Sequence, residues 1–484
     1  PMSPPILSSS NDPSSYQCDV STGDISWILF STATVLSMGP GLALFEAGLL
    51  RSKNTISIIT QIFSGIAILS TMWFLFGYSF SYSEKDFFGI IGDWSNFLLM
   101  GLSPSECTSH ALHVPSLLFS VFQMMFAVIS PLLMTGAFAE RLKFAHFIFV
   151  IVLWEIFVHY PLAHMIWSSN GWLYKLGVLD YAGGLVLHCS AGVSSLVFAI
   201  ILGRRRDFKV HHGEAPPSNL AVTALGACFL IMGWVGFNGG SALRAGPVTV
   251  SAVLNTQVAS AASGVVWIFF SCFHHRKPSL IAVLNGLISG LAGITPASGY
   301  VTIQSSFVIG IVLGIGSYMS VILFKHCLKI DDALDVTSIH GVTGIIGSFA
   351  IGIAASKQIN EDAEDGWIHG NPKLMAIQLL GIIVSLVWSA AVTFVIAVVL
   401  RRWMRASEKT ELLGMDSEFM EKRAYELLPA LDSGSGQEES ERIGGGVVSP
   451  RPGSSVQGDE DEEDEDYDIR VVHYGSTENG AYQV

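Results

Sequence analysis

Apolar runs of about twenty residues recur along the first four hundred positions, separated by short polar connections. Each run can cross roughly 30 Å of hydrocarbon. The pattern predicts eleven spans, at 25–50, 55–80, 113–138, 144–168, 180–203, 219–242, 247–273, 279–298, 301–326, 337–355 and 374–400. Each is expected to be helical, because a lone segment in lipid must satisfy its own backbone hydrogen bonds. Glycine is frequent inside the runs, as in closely packed membrane helices. The fold class is therefore an all-α polytopic membrane protein.

Charge changes this picture in two ways. From Met404 onward there are 20 acidic against 7 basic residues, so nearly all of the net charge of −14 belongs to the tail and the body is close to neutral. The chain divides into a segment at 1–24 expected to be extracellular, a transmembrane domain at 25–403, a helix-compatible cytoplasmic segment at 404–431 and an acidic tail at 432–484 that is expected to be disordered. Alternate connections hold the basic residues: Arg51 and Lys53, Arg141 and Lys143, Arg204 to Arg206 with Lys209, Arg276 and Lys277, Lys325 and Lys329, then Arg401, Arg402 and Arg405. The positive-inside rule puts the amino terminus outside and the carboxyl terminus in the cytoplasm. Residues 1–24 lack the basic cluster of a cleaved secretory signal. Nothing in the charge pattern suggests a nucleic-acid partner.

Six cysteines occur without a CxxC pair. Cys189, Cys228, Cys272 and Cys327 read as small apolar packing residues. Cys18 and Cys107 fall on the outer side of this topology, where a disulfide and free thiols are both open readings.

Two histidines stand within apolar runs. Asp180 precedes His188 by eight residues, and Asp332 precedes His340 by the same spacing. The fifth and tenth spans run in opposite directions, so the match points to five-plus-five inverted repeats with an extra final helix. Eight residues rise about 12 Å along a helix, which places both imidazoles near mid-membrane. Such groups are costly in lipid and call for a functional reading. The pair suits a polar path for an uncharged hydrogen-bonding solute, or a proton relay. Simple helix–helix hydrogen bonds and axial haem ligation are the competing readings; haem would need a more extensive ligand set. Aromatic residues line up nearby: Phe122 and Phe126 at helical spacing, Trp167 at the outer end of the fourth span, and Phe237 four residues before Ser241. Aromatic faces with a hydroxyl can replace water around a cation, although packing and interface anchoring explain the same residue types. No nucleophile–base set or metal-ligand cluster stands out in the body, so an enzyme is not expected.

Over roughly 25–428 these residues sit in motifs that resemble the Amt/MEP/Rh ammonium transporter superfamily, on its Amt branch: GPGLALFEAGLLRSKN, GAFAERLKF, PLAHMIW, DYAGGLVLHCSAGVSSL, GWVGFNGGSA, GLAGITPASGY and DDALDVTSIHGVTGIIG, in the family's order. The resemblance implies a plasma-membrane homotrimer with one pore per subunit, no cofactor, and ammonium or ammonia as the traveller. It implies an outer cation site at Trp167, Phe126 and Ser241, supported indirectly by Asp180. It also implies a gate at Phe126 and Phe237 and pore histidines at His188 and His340. An ammonium sensor with little flux shares the same outer site and is the alternative. The chain departs from the family pattern at Glu46, Glu155 and His159. These read either as structural pairs near a helix end or as changes to the pore vestibule. The tail motif GMDSEFMEKRAY matches the family's regulatory segment only at GMD and AY. A cytoplasmic regulatory protein or a kinase acting near Ser417 is a further expectation there.

Overall fold

In a computed structural model, residues 18–206, 208–210, 213–214, 216–422 and 424 are described. The acidic tail at 432–484, the last residues of the 404–431 segment and most of the 1–24 segment lie outside them. Among the described residues ten helices are long and apolar enough to cross a membrane. In chain order the spans are α1 (Thr22–Leu49), α2 (Ser52–Tyr82), α3 (Ser116–Phe138), α4 (Phe144–Lys175), α5 (Gly184–Leu202), α6 (Leu220–Gly240), α7 (Pro247–His274), the shorter apolar α8 (Leu280–Ile294), α9 (Ile303–Cys327), α10 (Thr337–Ala354) and α11 (Lys373–Met404).

The eighth span differs from expectation. A helix was predicted through 298, but α8 ends at Ile294 after 15 residues, about 22 Å of rise. Pro296 has no amide hydrogen and its ring would collide with the preceding turn, so the chain leaves the helix in turns through Tyr300. The Pro296 carbonyl then accepts the Tyr181 N–H ahead of α5 at 3.1 Å. A proline also stands near the end of the long first stretch of α3, at Pro131. The third span of each half is therefore interrupted.

Local chemistry fixes several helix starts. Ser21, Asn219, Ser279 and Thr302 each accept a backbone N–H of the following turn through a side-chain oxygen. Pro247 occupies the first turn of α7. The spans pack with α1 along α6, α7 against α8 and α9, and α11 beside α5 and α10.

Among the described residues five spans contain a π-helical turn: Trp73–Gly77, Glu155–His159, Gly184–Cys189, Ile322–Cys327 and Thr337–Val342. A π turn adds a residue to the helix, re-aims its side chains and recurs at functional sites. His188 and His340 both lie in such turns, each in the first stretch of the last span of its half.

The two faces of the bundle are chemically distinct. On one, Cys18 and Cys107 form a disulfide with a Cα–Cα separation of 5.8 Å. The other gathers arginines and acids from loops far apart in sequence. Arg51 Nε lies 2.9 and 3.0 Å from the Glu140 carboxylate oxygens. Arg205 reaches Glu140 at 3.1 Å and Asp331 at 2.7 Å. Burial alone would raise the Glu140 carboxyl, but hydrogen bonds and charge from Arg51 and Arg205 outweigh it and hold it at about 2.

Two short helices follow α11, α12 (Glu408–Leu413) and α13 (Met415–Phe419). They dock on this basic face. The Asp416 carboxylate accepts the N–H of Ile56 and Ser57 at 3.0 and 2.7 Å, capping the first α-helical turn of α2. Asn54 accepts the Met415 N–H, and Lys53 Nζ donates to the carbonyls of Glu411 and Leu412.

Candidate functional site: a closed path between two cavities

A vestibule of about 120 Å³ opens on the disulfide face. Phe126, Trp167, Ser241 and Asp180 all line it. Each is fixed by its neighbours. The Trp167 indole Nε1 donates to the Asp180 carbonyl at 2.9 Å, and its ring stands perpendicular to that of Phe126 with centroids 6.0 Å apart. Ser241 Oγ donates to the Phe237 carbonyl at 2.8 Å, leaving its oxygen lone pairs available.

Asp180 is saturated. Its Oδ1 accepts the N–H of Gly183 and Gly184, and its Oδ2 those of Leu185 and Val186, at 2.6–3.1 Å. The carboxylate therefore holds the opening turn of α5, where the helix dipole is positive. Asp332 plays the matching part before α10, accepting the Thr337 N–H at 2.7 Å.

The floor of the vestibule is aromatic. Phe126 and Phe237 lie with centroids 4.3 Å apart and 33° between planes, each 1% exposed. Phe122 backs Phe126 at 5.0 Å. Beneath them the rings of His188 and His340 stack with centroids 5.2 Å apart and 19° between planes, and their Nδ1 atoms are 3.2 Å apart. The Trp234 ring lies near-parallel to that of His188, with centroids 6.1 Å apart. In a neutral imidazole one nitrogen donates and the other accepts. An Nδ1–Nδ1 hydrogen bond therefore requires that one of the two rings carries its proton on Nε2. His188 Nε2 is buried without a protein partner among the described residues, so it is free to bond a solute.

The pairing rests on small residues. A Cβ built on Gly192, four residues after His188, would come within 2.1 Å of Gly341 Cα. One built on Gly344, four residues after His340, would come within 2.9 Å of His188 Cβ. Each half thus supplies a glycine that admits the other half's histidine turn.

Below the histidines a second cavity of about 40 Å³ touches His340, Trp234, Glu46 and a shell of aliphatic side chains including Leu133, Leu230 and Ile339. The Phe126–Phe237 contact and His188 separate it from the vestibule.

Every residue singled out from sequence for the path lies on this line. Others on it were not anticipated. Tyr82, His110, Gln123 and Tyr174 also line the vestibule. His110 is held down at about 4 by burial and is neutral. It sits in a polar loop with no regular pattern to mark it. Glu155 and His159 require a correction. They lie in a π turn in the middle of α4, away from either helix end, and they line neither cavity. Neither Glu155 carboxyl oxygen nor His159 Nδ1 has a hydrogen-bond partner among the described residues, so they are not a structural pair.

Residues 26–425 match the family model described as Ammonium Transporter Family. "Ammonium transporter 1" of Dictyostelium discoideum is 53% identical over 397 residues, which cover 81% of this chain and 85% of that protein. Ammonium transporter Amt1 of Archaeoglobus fulgidus is 39% identical, across 84% of this chain and all of its own length. Among solved structures, that of Saccharomyces cerevisiae Mep2 superposes with a TM-score of 0.76 at 36% identity, covering 80% of this chain and 88% of that one. A structure titled "Sensor Amt Protein" gives 0.73 at 29% identity, covering 81% and 97%. With its spans, its mirrored histidine turns and this match, the chain is a member of the ammonium transporter family.

Proposed function

We propose that this protein moves ammonium across a membrane by binding the cation in the vestibule, releasing its proton to outer water or to the imidazole pair, and passing ammonia along His188 and His340. The observation that carries this reading is the stacked histidine pair sealed beneath the Phe126–Phe237 contact. Trp167 and Phe126 offer ring faces to the cation, worth roughly 0.5–2 kcal/mol depending on desolvation, and Ser241 offers a lone pair. Asp180 positions Trp167 and contributes fixed negative charge without contacting the solute. A cation cannot pass the closed Phe126–Phe237 contact and the imidazole pair without a desolvation cost of several kcal/mol. Ammonia can, because it accepts from an imidazole N–H and donates to a ring nitrogen. Potassium has no proton to lose and stays outside.

The chemistry of the two faces supports an orientation with the amino terminus outside and the carboxyl terminus in the cytoplasm. The disulfide lies beside the vestibule, which suits the outer side, and the arginine-rich loops suit the cytoplasm. A plasma-membrane homotrimer, with a complete path in each subunit, is part of the same reading, as is the docked α12–α13 segment as a point of contact for a cytoplasmic regulator.

Current recordings from proteoliposomes on a solid-supported membrane, with ammonium and with potassium, test this. Ammonium-driven transport with potassium excluded is the expected result. Ammonium binding with neither current nor ammonia flux would replace the transport reading with that of a sensor.

A further inference from the structure

Glu46 is a carboxyl group at 2% exposure in the otherwise apolar lower cavity that it shares with His340. It lies three residues before the end of α1, between the histidine pair and the arginine-rich face. Its surroundings bear on the proton it carries. Thr135 Oγ1 is 2.8 Å from Glu46 Oε2 and 2.5 Å from the Leu132 carbonyl oxygen. One hydroxyl proton serves one of these contacts fully, and the carbonyl can only accept. A proton on Glu46 Oε2 supplies the other. His340 on α10 and Asp332 ahead of it are the other titratable groups facing this region; Glu140, farther along α3, is committed to Arg51 and Arg205. The cavity, at about 40 Å³, exceeds the roughly 10–15 Å³ that one water needs.

We propose that Glu46 forms an inner ammonium site, where ammonia leaving His340 takes the carboxyl proton and departs as the cation. This rests on the transport reading above. The step balances: the Glu46 O–H bond breaks, a fourth N–H bond forms on ammonia, and the products are a carboxylate and ammonium. The ion pair forms beside the polar face, and the cation leaves toward it. The carboxylate is then reprotonated from one of two sources. A proton from the cytoplasmic solution gives electroneutral passage; one relayed along the two imidazoles gives a current. In either case Glu46 prevents newly arrived ammonia from returning through the histidines, because the cation cannot re-enter.

The test uses the full chain in oriented proteoliposomes, comparing wild type with E46Q and E46D. For E46Q the maximal ammonium-driven rate is expected to fall at least fivefold, with the half-saturating outer ammonium concentration unchanged and the dependence on lumenal pH lost. E46D restores that pH dependence at a reduced rate and serves if the amide does not fold. Infrared difference spectra on adding ammonium to wild type are expected to lose a protonated-carboxyl band that E46Q lacks. Wild-type rate and lumenal pH dependence in E46Q would overturn the inner site while leaving the transport reading standing. Absence of flux in wild type itself would overturn both. Recording current against flux in wild type assigns the proton's source.

Discussion

Gly192 and Gly341 meet backbone to backbone where α5 and α10 cross, with no room for a methyl group between them. Overpacking of this kind usually costs about 1–3 kcal/mol. Here the obstacle is main chain, which cannot swing aside as a side chain can. G192A is therefore expected to lower the thermal unfolding temperature and to abolish flux by separating His188 from His340. Thermal unfolding in detergent together with liposome flux checks this. Wild-type values in both would contradict the contact.

His188→Ala and His340→Ala are expected to behave differently from G192A. Each removes one buried hydrogen bond, worth about 1 kcal/mol, and leaves the backbone crossing intact. Both variants should elute as wild type, yet lose ammonium flux by tenfold or more or begin to admit potassium. Unchanged ammonium currents with potassium still excluded would remove the histidines from the path.

Glu140 sets an acid limit on the arginine-rich face. Its folded-state value, about 2, lies below the ordinary 4.5. A depressed carboxyl contributes stability that is complete above the ordinary value and is lost as pH falls through the folded one. The window is therefore about pH 4.5 down to 2, and the contribution is about 3 kcal/mol. Asp331 is likewise held low by Arg141 and Arg205 against the effect of burial, and it adds in the same direction. Melting curves from pH 6 to pH 3 should show an acid-dependent loss that is smaller in E140Q, which should also be less stable at neutral pH.

Glu155 offers the opposite case. Both of its carboxyl oxygens are buried without a hydrogen-bond partner among the described residues. An unsatisfied buried polar group costs about 1–3 kcal/mol. E155L is expected to raise the unfolding temperature without changing flux, because the residue lines neither cavity. A fall in flux with stability retained would give this carboxyl a role in transport.

The spans and the histidine pair were legible because they depend on local properties: runs of apolar residues, and an acid-to-imidazole spacing repeated in both halves. The π turns at His188 and His340 were not, since an inserted residue leaves the composition of a helix unchanged. Glu155 and His159 were misplaced toward a helix end for the same reason; a π turn in mid-span accommodates them. The short α8 was marked by Pro296, but the surrounding apolar residues conceal a break. The docking of Asp416 onto the start of α2 joins positions about 360 residues apart, and no periodic pattern can reveal such a partner. His110 belongs to the same class, brought to the vestibule by a loop.

The Cys18–Cys107 bond has a practical meaning. Sulfur atoms on the reducing side of a cell membrane stay as thiols, so this link can form only if its face meets the oxidising side during insertion. The bond is in effect a covalent record of which way the chain was threaded. With the proposed orientation, a reductant that cannot cross lipid would cleave it in reconstituted vesicles only in molecules inserted right side out. The fraction cleaved would then count the orientations, and so convert a raw flux into a rate per correctly oriented pore.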